Sequence, residues 1–141
     1  MVGSRLVAMR IAQSLIDEMV AHAREDLPNE CCGLIGGSDG AAQTVYRARN
    51  EFASPFSYRI DTADQYRIIE KEMRGQGEEL LAIYHSHTKS PAYPSQTDLN
   101  EAVSWPDQAY LIVSLADPES PEVKAYWLKE MKIADAELDV S

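Results

Sequence analysis

Apolar residues follow two different rhythms along the chain. Over residues 13–26, Leu15, Ile16, Met19, Val20 and Ala23 recur at helical spacing, with Pro28 just past the end, so an amphipathic helix is expected there. Residues 31–37 form a short apolar run closed by Gly36, Gly37, Asp39 and Gly40, which predicts a strand turning back into a second strand over 43–49 as a hairpin. A short strand is expected at 57–61. A helix is expected at 62–74, where Tyr66, Ile68, Ile69 and Met73 make the stripe and Gly75 and Gly77 end it. Residues 80–84 read as an apolar strand leading directly into His85, followed by a Pro-containing loop at 89–94. A helix at 97–105, a buried strand at 109–115, a Pro-bounded turn at 117–121 and a strand at 123–128 complete the pattern.

Helices interleaved with strands, several joined by hairpin-length turns, predict an α/β (α+β) fold: a mixed β-sheet flanked by helices. Residues 1–8 precede a second methionine, Met9, and are read as an N-terminal extension ahead of a single domain over 9–141. At 45% hydrophobic and 26% charged residues, the composition is that of a folded domain and not of a disordered chain. The apolar run at 110–116 falls far short of the ~20 residues a membrane-spanning helix needs, and no segment resembles a secretory leader, so the cytoplasm is the expected compartment. Cys31 and Cys32 are adjacent and alone, which gives no disulfide framework. A net charge of −10 repels a phosphate backbone and argues against a nucleic-acid partner.

The chemistry concentrates in one stretch. His85 and His87 are two residues apart, which on an extended strand puts both imidazoles on one face, about 7 Å apart at the backbone. Asp98 follows in the first turn of an expected helix and can return a third ligand. Three protein ligands with an open fourth position are the arrangement of a catalytic zinc. A different reading uses some of the same side chains: Ser95, Gln96, Thr97 and Asp98 fit the S-x-x-D pattern of a helix capping box.

Taken together, Glu30-Cys31-Cys32-Gly33 and His85-Ser86-His87, seven residues, Ser95, two residues, Asp98 resemble the E-x-x-G and H-x-H-x7-S-x2-D signature of the JAMM (MPN+) metalloproteases. The wording from Tyr84 to Asp98 looks most like the compact prokaryotic Mec-type enzymes that process ubiquitin-like sulfur-carrier proteins. The resemblance implies a JAB-like, cytidine-deaminase-like architecture with Zn2+ held by His85, His87 and Asp98. It implies that Glu30 moves the proton of the attacking water and that Ser95 donates to the oxyanion. The implied partner is a ubiquitin-like sulfur carrier with a Gly-Gly tail, and the implied reaction is hydrolysis of the amide that joins the tail to cysteine or another amine.

The alternatives are an isopeptidase acting on another ubiquitin-like modifier, a non-catalytic MPN module that only binds partners, and a zinc deaminase. The last lacks its P-C-x-x-C element here. Tyr58 and the loop residues Ser90, Pro91 and Tyr93 are expected to guide an extended peptide tail. Cys31 and Cys32 are expected to be small buried hydrophobes, and His22 to lie on a solvated helix face.

Overall fold

The computed structural model describes residues 7–141. Its strands are β1 (Val7–Ile11), β2 (Cys32–Ser38), β3 (Ala41–Ala48), β4 (Glu79–His87), β5 (Ala109–Ser114), β6 (Glu122–Lys129) and β7 (Lys132–Val140). They are ordered β1-β3-β2-β4-β5-β6-β7. The sheet is mixed, as the sequence predicts: β4 and β5 run parallel across the connection that carries a helix, while β2–β3, β2–β4, β5–β6 and β6–β7 are antiparallel. β1 is parallel to both β3 and β7 and joins the two edges into a closed barrel, which covers both edge strands.

The β2–β3 hairpin turns at Asp39-Gly40, both with positive φ, as a two-residue connection requires. The matching β6–β7 turn is Glu130-Met131, again with positive φ at both positions but without the Gly or Asn that would announce it. Strand β7 is therefore absent from the pattern expected of the sequence. Of the extension expected at 1–8, residues 1–6 lie outside the described residues, whereas Val7 and Ala8 belong to β1 and Val7 pairs with Glu137.

Alternation along β2, β4 and β5 divides the apolar residues between two cores. Helix α1 (Gln13–Glu25) buries Ile16, Met19 and Ala23 against one face together with Ile35, Tyr84 and Leu111. Leu34, Ile83 and Ile112 pack on the other face beneath Ile68 and Met73, from the continuation of α2 (Thr62–Tyr66), and Ala102 of α3 (Gln96–Ala102). Helix α2 continues as a π-helical stretch, Arg67–Met73. Its wider winding puts Ile68 and Met73, five residues apart, on the buried side and leaves Tyr66 exposed, a departure from the regular stripe expected over this helix. The strand expected at 57–61 reduces to one bridge, Asn50 to Ile60. Among the described residues no helix is long and apolar enough to cross a membrane.

Candidate metal centre

His85 and His87 end β4 and point to the same side, where α3 brings Asp98 against them. The Nε2 atoms of the two histidines are 3.3 Å apart. His85 Nε2 lies 3.0 Å from Asp98 Oδ1, and His87 Nε2 lies 2.9 Å from Asp98 Oδ2. All three side chains are buried. His87 Nδ1 is 2.8 Å from the Pro91 carbonyl oxygen, which can only accept, so this nitrogen carries the proton and Nε2 of the neutral ring presents a lone pair. That lone pair faces a carboxylate oxygen, another acceptor. Only a cation between them, a proton or a metal ion, makes the arrangement favourable.

The donor set fits a metal on distance as well. Tetrahedral bonds of the zinc type place ligand atoms about 3.3–3.6 Å apart. The two imidazole nitrogens sit at that spacing and the carboxylate oxygens slightly inside it. Among the described residues, His85, His87 and Asp98 form the one group of three such side chains able to hold a metal ion.

The capping and ligand readings of Asp98 prove compatible. Ser95 caps α3: its Oγ accepts from the Asp98 N–H at 3.1 Å, and its own N–H donates to Asp98 Oδ2 at 2.9 Å. The carboxylate thus caps the helix while both its oxygens face the histidines. Burial by itself raises the Asp98 pKa, but the pull of His85, the hydrogen bonds to His85 and His87 and the Ser95 N–H outweigh it and hold the carboxyl well below its ordinary range. Burial lowers the His87 pKa, yet Asp98 and the Pro91 carbonyl more than compensate and leave it raised.

Glu30 comes from the segment just before β2. Cys32 is paired with His85, and Cys31 exchanges hydrogen bonds with Ser86, its N–H donating to Ser86 Oγ and its carbonyl accepting from the Ser86 N–H. This register brings Glu30 beside His87. Its side chain is 4% exposed and Oε1 has no hydrogen-bond partner. Burial, reinforced by Asp98 and moderated by His87, raises its pKa to about 8. Three of the four buried side-chain atoms left unpaired among the described residues belong here: Glu30 Oε1, His85 Nδ1 and Tyr58 Oη. Unpaired buried polar atoms are costly, and Glu30 Oε1, beside His87, is the one that suits a bound group at this site.

Several residues depart from expectation. Tyr58, expected to guide a tail, is packed inward rather than presented at the surface. It is buried and its ring stacks on His85, centroids 4.2 Å apart and planes 17° from parallel, which fixes the imidazole. Tyr93 is exposed, as a guiding residue requires, with its ring edge-on to Tyr126. Pro91 acts through its carbonyl on His87, and Ser114 Oγ holds the same loop by donating to the Ser90 carbonyl at 2.6 Å. Asn50 is a residue of the site that the sequence does not single out. Its Nδ2 donates to the carbonyls of Glu30 and Ser57, while its Oδ1 accepts from the N–H groups of Phe52 and Arg59, tying the Glu30 and Tyr58 segments together. An isolated Asn in a loop carries no sequence signal for this. His22 is not solvated: it is 4% exposed and bound to Tyr84. Cys31 and Cys32 are buried as expected, and burial pushes the Cys31 thiol up to about 12, far from a nucleophile's range.

A mixed sheet flanked by helices, with three buried side chains that could hold a metal ion and a buried carboxyl beside them, is the arrangement of a JAB-type hydrolase. The sequence pattern of the prokaryotic homologs of the JAB domain matches residues 12–129, and the chain belongs to that family, the prokaryotic branch of the JAMM (MPN+) peptidases. It is 36% identical to a CysO-cysteine peptidase of Mycobacterium tuberculosis over 92% of this chain and 89% of that one. It is 38% identical to a desampylase of Haloferax volcanii over 81% of this chain and 84% of that one. A solution structure of a Desulfitobacterium hafniense protein superposes with a TM-score of 0.86 at 36% identity, covering 94% of this chain and 92% of that one.

Proposed function

We propose that the chain is a zinc peptidase that hydrolyses the amide at the C-terminal tail of a ubiquitin-like sulfur-carrier protein, releasing cysteine from a carrier–cysteine adduct. The observation that carries this reading is the lone pair of His87 Nε2 facing Asp98 across 2.9 Å beside the unpaired Glu30 Oε1. His85, His87 and Asp98 would hold the zinc. When bound, zinc polarises the scissile carbonyl, brings the pKa of water towards neutrality and favours the ionised form of Glu30.

Glu30 takes the proton of the attacking water and delivers it to the departing nitrogen, a service worth about 10²–10⁴-fold in rate. A C–O bond forms as the C–N bond breaks, leaving the tail carboxylate and a free amine. Ser95 Oγ accepts from the Asp98 N–H and lies 2.9 Å from Thr97 Oγ1; with the Thr97 hydroxyl as donor in that pair, the Ser95 O–H is left to donate to the carbonyl oxygen as that atom gains charge. Tyr58 holds His85 in plane, and the Pro91 carbonyl fixes the tautomer of His87.

The similarity to a CysO-cysteine peptidase across most of both chains supports the carrier–cysteine substrate. The similarity to a desampylase supports a second reading, an isopeptidase acting on a ubiquitin-like modifier. The free, buried thiols of Cys31 and Cys32 agree with a cytoplasmic location. The test is elemental analysis, with about one zinc per chain expected, followed by mass spectrometry of the zinc-loaded protein incubated with a carrier–cysteine adduct and with a modifier–lysine conjugate. A folded protein that takes up no zinc, or that cleaves neither, sinks the proposal.

A further inference from the structure

Glu30, His87 and Ser95 open together onto a cavity of about 220 Å³, whose remaining lining is Pro55, Phe56, Thr88, Lys89 and Ser90. It is large enough for a single residue. On the peptidase reading, on which the role of this cavity rests, Glu30 must hand its proton to the departing nitrogen, so the leaving amine is on the Glu30 side of the reacting carbonyl. Glu30 shares this cavity with both His87 and Ser95. A larger neighbouring hollow of about 570 Å³ also touches Glu30 but reaches neither of them.

The charge around the cavity is uneven. The chain carries 23 acidic against 13 basic residues, and the arginines nearest the site are already engaged: Arg47 with Glu25, Arg49 with Asp61 and Asp64, Arg59 with Glu101. Lys89 is exposed, lines the cavity and has no carboxylate partner among the described residues. Phe56, 80% exposed, supplies an apolar wall to the same space. An unpaired ammonium beside a wall that accepts a small apolar side chain suits a leaving group that is itself an amino acid.

We propose that Lys89 is a specificity residue that pairs with the free α-carboxylate of the leaving amino acid, so that the enzyme favours amides whose departing amine carries an adjacent carboxylate over isopeptides of a lysine side chain. Lys89 contacts no atom that reacts; it binds the substrate equally before and during the reaction and therefore acts on KM. The interaction is charge-assisted and worth about tenfold or more in discrimination.

The test uses the zinc-loaded full chain with two carrier–cysteine adducts, one with the natural carboxylate and one with a carboxamide in its place. Wild type is expected to show at least a tenfold higher kcat/KM for the carboxylate form, mainly through KM, with the preference weakening as salt rises. Lys89→Met should bring the ratio close to one, Lys89→Glu should reverse it, and Lys89→Arg should restore most of it. Zinc content and circular dichroism confirm that each variant is folded. Equal cleavage of the two adducts by wild type, or a preference that survives Lys89→Met, overturns the role of Lys89 and leaves the peptidase reading intact. No cleavage of either adduct by wild type overturns the carrier–cysteine reading and this role with it.

Discussion

Tyr84 and His85 are neighbours in β4, yet the polar clusters they join on the two faces of the sheet distribute their protons in opposite ways. On the α1 side, His22 Nε2 lies 3.3 Å from Asp26 Oδ2 and its Nδ1 lies 2.7 Å from the Tyr84 hydroxyl. A neutral imidazole satisfies both: Nε2 donates to the carboxylate and Nδ1 accepts from the phenol, so every hydrogen has an acceptor. On the α3 side acceptors face acceptors and two ring or carboxyl atoms have no partner at all. The first cluster is complete without a ligand and the second is not. Burial alone therefore does not distinguish a functional histidine from a structural one; the surplus of lone pairs does. Gly33 of the E-x-x-G element serves the first cluster, since a Cβ there would run into the Tyr84 ring and the Tyr46 carbonyl. The family signature thus spans the face that carries the candidate metal centre and a packing face.

The strongest way to break this contrast is at Asp98. Asp98→Ala removes one of the three proposed ligands and the reciprocal half of the capping box, and we expect zinc below about a tenth of an equivalent, no detectable hydrolysis and a stability loss of about 1 kcal/mol from the cap. Inductively coupled plasma measurements and thermal melts check both. The same assay on His22→Ala should find full zinc, and a loss of zinc there would erase the distinction between the two clusters.

Next in size is Glu30→Gln, expected to lower kcat about 10²–10⁴-fold while zinc is retained. In the metal-free protein the same change should stabilise the fold, with a definite pH dependence. The folded-state pKa is raised to about 8 from 4.5, so between those values the unfolded chain releases a proton that the folded chain keeps. Stability of the wild type is therefore lost as pH rises through this window. The melting temperatures of Glu30→Gln and wild type should coincide near pH 4 and diverge by several degrees at pH 8, in favour of the variant. Parallel curves would show that Glu30 is not a strained carboxyl.

The convergence of His85, His87 and Asp98 is legible in the sequence because they lie in one stretch, where strand alternation pairs His85 with His87 and a recognisable cap places Asp98. Glu30 is remote from them and is legible only through resemblance to the family. His22 reads wrongly as a solvated residue because its partner Tyr84 is 62 residues away, and the polar neighbours Arg24, Glu25 and Asp26 resemble a solvated face. The cap and ligand roles of Asp98 look exclusive because a sequence does not show that one carboxylate can face its own helix N-terminus and a histidine pair together. β7 is hidden by its composition: Ala134, Asp135, Ala136, Glu137 and Asp139 give little apolar alternation, and most of its side chains remain at least partly exposed. Its identity as a strand comes from pairing with β6 and β1, which close the barrel.

The smaller effects lie in the complete cluster. Burial lowers the His22 pKa against the pull of Asp26, so the folded state resists protonating it, and the stability this residue contributes is lost as pH falls below its ordinary value of 6.5. His22→Ala should cost about 1–3 kcal/mol at pH 7.5 because it strands the Tyr84 hydroxyl in the core, and it should flatten the acid side of the stability profile. Tyr84→Phe removes the donor instead, leaving a histidine that still pairs with Asp26, and should cost about 1 kcal/mol. If the two groups are paired as the geometry requires, the double variant should cost less than the sum of the single changes, since each partner's loss already strands the other. Additive losses, measured by urea denaturation of the metal-free protein, would mean that the hydroxyl and the imidazole do not share a proton, and that the α1 face is no more satisfied than the catalytic one.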